Sequence, residues 1–488
     1  MAKQKVKSIK TNFIMNAILT MSSFIFPLIT FPYVSRILLP VGTGKVSFAT
    51  SLISYFAILA QLGIPTYGIR ACAKVRDDKE KLSKTVQELF IINAIMTALA
   101  YALLIVALLV IPRLQKDKIL YIIVSSTLFF NLIGMEWLYK ALEQYTYITV
   151  RSVVFKFVAL IAMFLLVHEK SDYVIYGAIT ILAASASNIF NFIKVHKYIN
   201  MKIVGNYDIK RHMKAVAIFF AMSCATTIYT HMDTVMLGFM KSDEEVGYYN
   251  AAVRIKSILV SIVTSLGTVL LPRASYYLEK GLKSDFLRIT KKAINFVILI
   301  SLPMLIYFIL FAKEGIYFLS GTAYQKSIAP MQIIMPTLFF IGLTNIMGIQ
   351  MLVPMGKENI VLRSEVIGAV VDLVLNILMI PTLGAAGAAI GTLIAEMAVW
   401  IVQFYELKDI VKNAYRNVHY ISIFLSLVFA MICSLWIKTC RLSNFIILVI
   451  SSVLFFGVYF VTLLFMKEPF LVDLIKPYIR KLRQGIGK

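Results

Sequence analysis

The chain has 488 residues, 59% of them hydrophobic, a mean hydropathy of +0.81 and a formal net charge of +24. Soluble domains are nearer half apolar, so an ordinary globular fold is excluded. A transmembrane β-barrel is excluded too, because long apolar runs recur instead of short alternating segments.

In chain order the runs predict about fourteen helical spans. They lie near 11–38, 46–66, 87–111, 119–139, 150–168, 174–195, 213–239, 247–271, 291–312, 328–354, 361–381, 386–406, 419–438 and 443–466. Lys3, Lys5, Lys7 and Lys10 before the first run resemble a signal peptide, but the run continues to Leu39, too long for a cleaved core. Basic residues concentrate in every second connection and in both tails: about 35 of the 49 Lys and Arg by the positive-inside count. An even span number then places both termini on the cytoplasmic side of a cell membrane. The charge reads as a basic face beside anionic lipid, which leaves no role for nucleic acid. Cys72, Cys224, Cys433 and Cys440 form no C-x-x-C pair, no His/Cys metal spacing occurs, and no cofactor is expected.

Two charges stand out within the spans. Asp233 lies in one apolar stretch and Arg254 in the next, each costing about 2.5–3.5 kcal/mol at the centre of a membrane helix. Arg254 falls about seven residues beyond the intervening turn, roughly 10 Å deep at the helical rise. Asp233 lies at similar depth, so the two can pair or each can face a hydrated cavity.

A weak repeat recurs at roughly 200–210 residues. Leu62-Gly63 with Arg70 answers Leu266-Gly267 with Arg273, and Thr149-Val150-Arg151-Ser152 answers Val361-Leu362-Arg363-Ser364. Gly177-Ala178 answers Gly387-Ala388, and Gly42 to Ala49 answers Val246 to Ala252. The offset covers an even number of helices, so the repeats are parallel. The expected architecture is all-α and polytopic, with two pseudo-symmetric six-helix lobes, 1–200 and 201–410, and two extra helices in 411–488.

Several motifs then resemble a known family. Asp233…Met236-Leu237-Gly238…Val246-Gly247-Tyr248-Tyr249…Ala252…Arg254-Ile255 is similar to the span 7–8 hairpin of Wzx-type polysaccharide flippases, in the multidrug/oligosaccharidyl-lipid/polysaccharide exporter superfamily. Arg36-Ile37-Leu38 with Pro40 and Gly42 or Gly44 resembles their span 1–2 signature, with Leu39 where glycine is usual. Asn376 to Pro381, Gly384 to Ala389 and Glu396 resemble the span 11–12 signature, and Phe318 to Ala329 around Gly321 and Tyr324 also fits. The resemblance implies translocation of undecaprenyl-pyrophosphate-linked oligosaccharide units by alternating access, for capsule, O-antigen or exopolysaccharide assembly, without covalent chemistry. It implies a polysaccharide polymerase and glycosyltransferases as partners, beside membrane lipid.

A pyrophosphate cannot cross hydrocarbon bare, so a cationic cavity is expected, with Arg254, Arg36, Lys256 and Lys156 as candidates; Arg suits phosphate through its planar donor fork. Lys256 is two residues from Arg254 and points to another helix face, while Arg36 and Lys156 can alternatively snorkel to headgroups. Uphill transport needs a coupling ion, H+ or Na+. Asp233, Glu136, Asp372, Glu365 and Glu396 are the intramembrane carboxylates that can carry it, or that serve as structural groups. The rival readings are a cation-coupled drug exporter of the same superfamily, a lipid II flippase, and a membrane polysaccharide polymerase. The last would need a large outer loop with catalytic residues, and the longest outer connection, Ala312 to Ser327, holds no His or Asp.

Overall fold

The computed structural model describes residues 9–472 apart from Asn417. Every regular element among the described residues is helical, the form that satisfies backbone N–H and C=O groups within one segment where lipid supplies no partner. Among these residues nine helices are long and apolar enough to cross a membrane, or eleven if each of two bent pairs counts as one span. Packing divides the chain into two compact units, with the division between Gly247 and Tyr248.

The first unit opens with α1 (Ile9–Gln61), whose 53 residues would run about 80 Å if straight, far beyond a hydrocarbon core of about 30 Å. It is broken at Leu39, with φ 57° and ψ 179°, and so covers the first two predicted spans. Pro40 lacks the N–H that would continue the helix. The buried Thr43 hydroxyl reaches back to the carbonyls of Leu39 at 3.1 Å and Pro40 at 3.3 Å. Then come α2 (Ile64–Lys74), α3 (Lys79–Val110), α4 (Pro112–Gln115), α5 (Lys118–Gly134), α6 (Glu136–Ala141), α7 (Tyr145–Leu166), α8 (Tyr173–Ala184), α9 (Ile189–Lys194) and α10 (Lys210–Met240).

Helix α1 packs against α3, α5, α7, α8 and α10. A cluster of Ile64, Leu89, Trp137, Leu138 and Tyr139 binds α2, α3 and α6. Asp78 caps α3 by accepting the N–H groups of Glu80 and Lys81, both at 3.1 Å. The Lys81 N–H and ammonium hold its carboxyl below the usual range, the expected preference for an anion at a helix start.

Helix α11 (Asp243–Glu279) carries the division between the units. The second unit continues with α12 (Lys283–Leu310), α13 (Ala312–Ser320), α14 (Ile328–Ile334), α15 (Thr337–Thr344), a π-helical turn at Asn345–Leu352, α16 (Glu358–Leu383), α17 (Ala385–Arg416), α18 (Tyr420–Leu435) and α19 (Asn444–Phe465). Helices α16 and α17 are adjacent along their length, and α12 packs on α14, α15 and α17. Helix α19 is tied to α12: Tyr307 donates to the Leu448 carbonyl at 2.9 Å and meets the Ser451 hydroxyl at 2.9 Å, and Tyr459 donates to the Leu299 carbonyl at 3.1 Å.

The backbone at Leu39 lies where glycine alone is comfortable. At an ordinary helix position alanine is more stable than glycine by about 1 kcal/mol. Here the order is expected to invert: Leu39→Gly should exceed Leu39→Ala in stability by about 1–2 kcal/mol, measured by thermal unfolding in detergent. Both variants lose the same side chain, so the difference reports the backbone alone; Leu39→Ala being the more stable would refute the strained kink.

Candidate functional site

The two signature segments of the first unit meet at the break in α1. A methyl group on Gly44 would sit 1.7 Å from the Asp243 carbonyl oxygen, and one on Gly247 would sit 2.1 Å from the Pro40 carbonyl oxygen. The α10–α11 turn therefore lies directly on the α1 backbone. The Arg113 guanidinium, on α4, pins this turn: it donates to the Gly238 carbonyl at 3.1 Å and pairs with the Asp243 carboxylate. Beside it Lys45 pairs with Asp117 at 2.7 Å, and the Tyr173 hydroxyl donates to the same carboxylate oxygen at 2.8 Å. Sequence reasoning missed Arg113, Asp243, Lys45 and Asp117, because each sits in or beside a connection where a lone charge looks solvated.

The opposite case is Glu88, a fully buried carboxylate in α3. It pairs with Arg211, accepts from the Asp208 N–H at 2.8 Å, and meets His212 at 2.9 Å; His212 also meets the Tyr67 hydroxyl at 2.7 Å. Its neighbour Gln87 donates to the carbonyls of Asn200 and Lys202 and accepts from Val204 and Tyr207. The basic connection between α9 and α10 is thus strapped to α3 through residues 200–208. An i, i+1 pair of Gln and Glu near a helix start carries no signal for this on its own.

The predicted residues of this unit fall in different places. Glu136 is engaged by two cations, Lys140 at 2.8 Å and the buried Arg151 at 3.3 Å. Arg36 is exposed and donates to the Pro32 carbonyl within its own helix. Asp233 is buried in α10, 5% exposed, and two residues before it His231 meets the Ser51 hydroxyl at 3.2 Å. Lys156 does not reach for either end of α7; it donates to the Ser22 and Ser23 hydroxyls of α1 at 2.8 and 2.9 Å.

In the second unit Arg254 and Lys256 are half-buried on α11 and Glu365 is half-buried on α16. Asp372, Asn376 and Glu396 are buried. Asp372 and Asn376 are one turn apart on α16, and each turns a side-chain oxygen toward Gly391 of α17. A methyl there would meet Asn376 Oδ1 at 2.7 Å and Asp372 Oδ1 at 3.0 Å. The absent Cβ makes the room in which two acceptor oxygens converge. One residue further along, the Thr392 hydroxyl meets that of Tyr249 at 3.0 Å, and on the other side Gln403 donates to Ser364 at 3.0 Å. A polar seam therefore follows the α16–α17 contact. Asn376, Thr392 and Tyr249 were not singled out as ion-handling groups; the i, i+4 spacing of Asp372 and Asn376 is a signal that could have found Asn376.

Over residues 9–278 the chain matches the family described as polysaccharide biosynthesis protein. It belongs to that family. A MatE match covers 218–378. Among curated relatives, the "Putative O-antigen transporter" of Escherichia coli (strain K12) is 24% identical over 394 residues, 80% of this chain and 95% of that protein. The "Probable low-salt glycan biosynthesis flippase Agl15" of Haloferax volcanii is 22% identical over 253 residues, 52% of this chain and 49% of that one. Among solved structures, one titled "Lipid II flippase MurJ, inward closed conformation" superposes with a TM-score of 0.67 at 15% identity, covering 96% of this chain and all (100%) of that one. At that identity the likeness speaks for the fold alone.

In this family member, Gly44 and Gly247 of the first two signatures serve a close backbone contact. Gly44→Ala is expected to cost about 1–3 kcal/mol through overpacking. Gly457→Ala in α19, where a methyl meets no atom within 4 Å, should be neutral or slightly stabilising. Thermal unfolding of the two purified variants decides; equal behaviour would mean that the α1–α11 contact is not close.

Proposed function

We propose that the chain is a flippase for lipid-linked oligosaccharide: it carries a polyprenyl-pyrophosphate-linked repeat unit across the cytoplasmic membrane for assembly of a surface polysaccharide. The family assignment over 9–278 carries this reading; the names borne by the relatives, O-antigen transporter and glycan flippase, support it. The work is translocation, with no bond made or broken in the substrate. Transport proceeds by alternating access in a protein of about fourteen spans, with two repeated lobes and both termini in the cytoplasm, as the alternation of basic connections supports. A polymerase and glycosyltransferases act before and after it on the same lipid. The alternative cargo is another sugar carried on the same class of lipid.

Arg254 is the cation proposed to meet the pyrophosphate, through two parallel donors. Asp372 with Asn376 is the proposed ion site, because their oxygens converge where Gly391 leaves space. One charge-assisted hydrogen bond contributes about 1.5–3 kcal/mol. Arg254→Ala should therefore leave the protein inserted at normal level while slowing surface-polymer export about 10- to 100-fold, with Arg254→Lys recovering only part. Export at the wild-type rate in Arg254→Ala would remove it from the substrate path. In vesicles loaded with the lipid-linked oligosaccharide, Asp372→Asn should flatten the dependence of transport on an imposed proton or sodium gradient. An unchanged dependence would exclude Asp372 as the carrier.

A further inference from the structure

Lys156 lies eleven residues after Tyr145 and ten before Leu166 in α7. That is about 15 Å from either end of the helix, beyond the reach of a snorkelling lysine. An ammonium at mid-span is costly, and the carboxylate whose field reaches it, Glu136, is already paired with Lys140 and Arg151. Its partners are hydroxyls whose own protons are spent elsewhere: Ser22 and Ser23 both donate to the Leu19 carbonyl, at 2.7 and 3.2 Å. Each hydroxyl then offers only a lone pair, so two of the three ammonium protons are satisfied. A methionine would close the same α1–α7 contact without the cost of a charge.

The ammonium also borders a groove between α1 and α7 of about 300 Å³. Its walls include Ile18, Met21, Ile25, Ile29 and Phe157, apolar side chains that are 44% or more exposed. The volume is at the lower end of ligand pockets and suits a short stretch of hydrocarbon. The structure thus puts a cation held by two hydroxyls at the wall of an oily slot. That pairing fits a lipid with a phosphate head and an apolar chain.

Position selects which lipid. A resident phospholipid keeps its phosphate at the interface, about 15 Å from the bilayer centre, and cannot present it to a mid-span lysine. A lipid that is itself being carried across must bring its phosphate past that level. We propose that the α1–α7 groove is a transit site for the carried lipid: the first units of the polyprenyl chain lie between Ile25 and Phe157 while the pyrophosphate rests on Lys156. This rests on the flippase reading above and adds a chain-binding site to it.

The test is photocapture on the full-length protein in nanodiscs, with benzoylphenylalanine at position 157 and a radiolabelled polyprenyl pyrophosphate as probe. Lys156→Met should lower capture about tenfold, the effect of losing one contact of about 1.4 kcal/mol, and Lys156→Arg should stay within about threefold of wild type. Ile25→Trp, which fills the groove and leaves the charge, should lower capture as Lys156→Met does. Unlabelled polyprenyl pyrophosphate should compete, whereas phosphatidylglycerol, polyprenol and inorganic pyrophosphate should not at equal concentration. The proposal is overturned if wild type captures nothing, if Lys156→Met or Ile25→Trp captures as wild type does, if phosphatidylglycerol competes equally, marking a seat for bilayer lipid, or if inorganic pyrophosphate competes equally, marking a head-group site without a chain. Polymer export measured in parallel separates the two readings: export that persists when capture is absent leaves the flippase standing without this groove. Loss of the gene with no loss of polymer removes the flippase reading itself.

Discussion

The first unit depends on one close approach, between the backbone of α1 just after its break and the turn joining α10 to α11. Carbonyl oxygens of Asp243 and Pro40 occupy the places where side chains of Gly44 and Gly247 would otherwise begin. No flexible group can yield there, since both obstacles are main chain. Helices without an aqueous driving force between them associate through such contacts, where small residues let backbones approach. The break at Leu39, the threonine that satisfies its carbonyls, and the arginine that pins the turn all follow from holding this contact.

Within the first unit, charge is handled in two ways. Some ions are neutralised where they stand: Glu88 by Arg211 and His212, Glu136 by Lys140 and Arg151, Asp243 by Arg113. Glu88 is the fully buried one of these, and removing its partners would leave a buried charge uncompensated. Others are held by neutral dipoles, as Lys156 is by Ser22 and Ser23. In the second unit, taken by itself, Asp372 and Asn376 bring acceptor oxygens together at a gap in the neighbouring helix. A charge held by dipoles alone costs stability in a way a neutralised one does not, and at Lys156 it is there that a lipid phosphate is proposed to rest.

Much of the fold was legible because a bilayer imposes a simple rule on the chain. Apolar runs long enough to cross it must be helices, and the described residues are helical through most of the predicted stretches, with nine to eleven helices long and apolar enough to span. The candidate site was legible in part. A carboxylate amid oil, as at Asp233 or Asp372, stands out against its surroundings. Arg113, Lys45 and Asp117 do not, because a charge beside a loop looks solvated until the tertiary structure turns it onto a neighbour. Leu39 was visible only as a departure from the expected glycine; its left-handed backbone explains why glycine is usual there.

The sequence alone determined the class: an all-helical, many-span membrane protein with charges set inside its spans, since composition and run length are properties of the chain itself. Which charges neutralise one another was decided only by the tertiary structure. Lys156 and Ser22 are separated by 134 residues, Arg113 and Asp243 by 130. No local pattern encodes such pairs, because a helix displays side chains all round its axis, and packing alone selects the face that meets a partner.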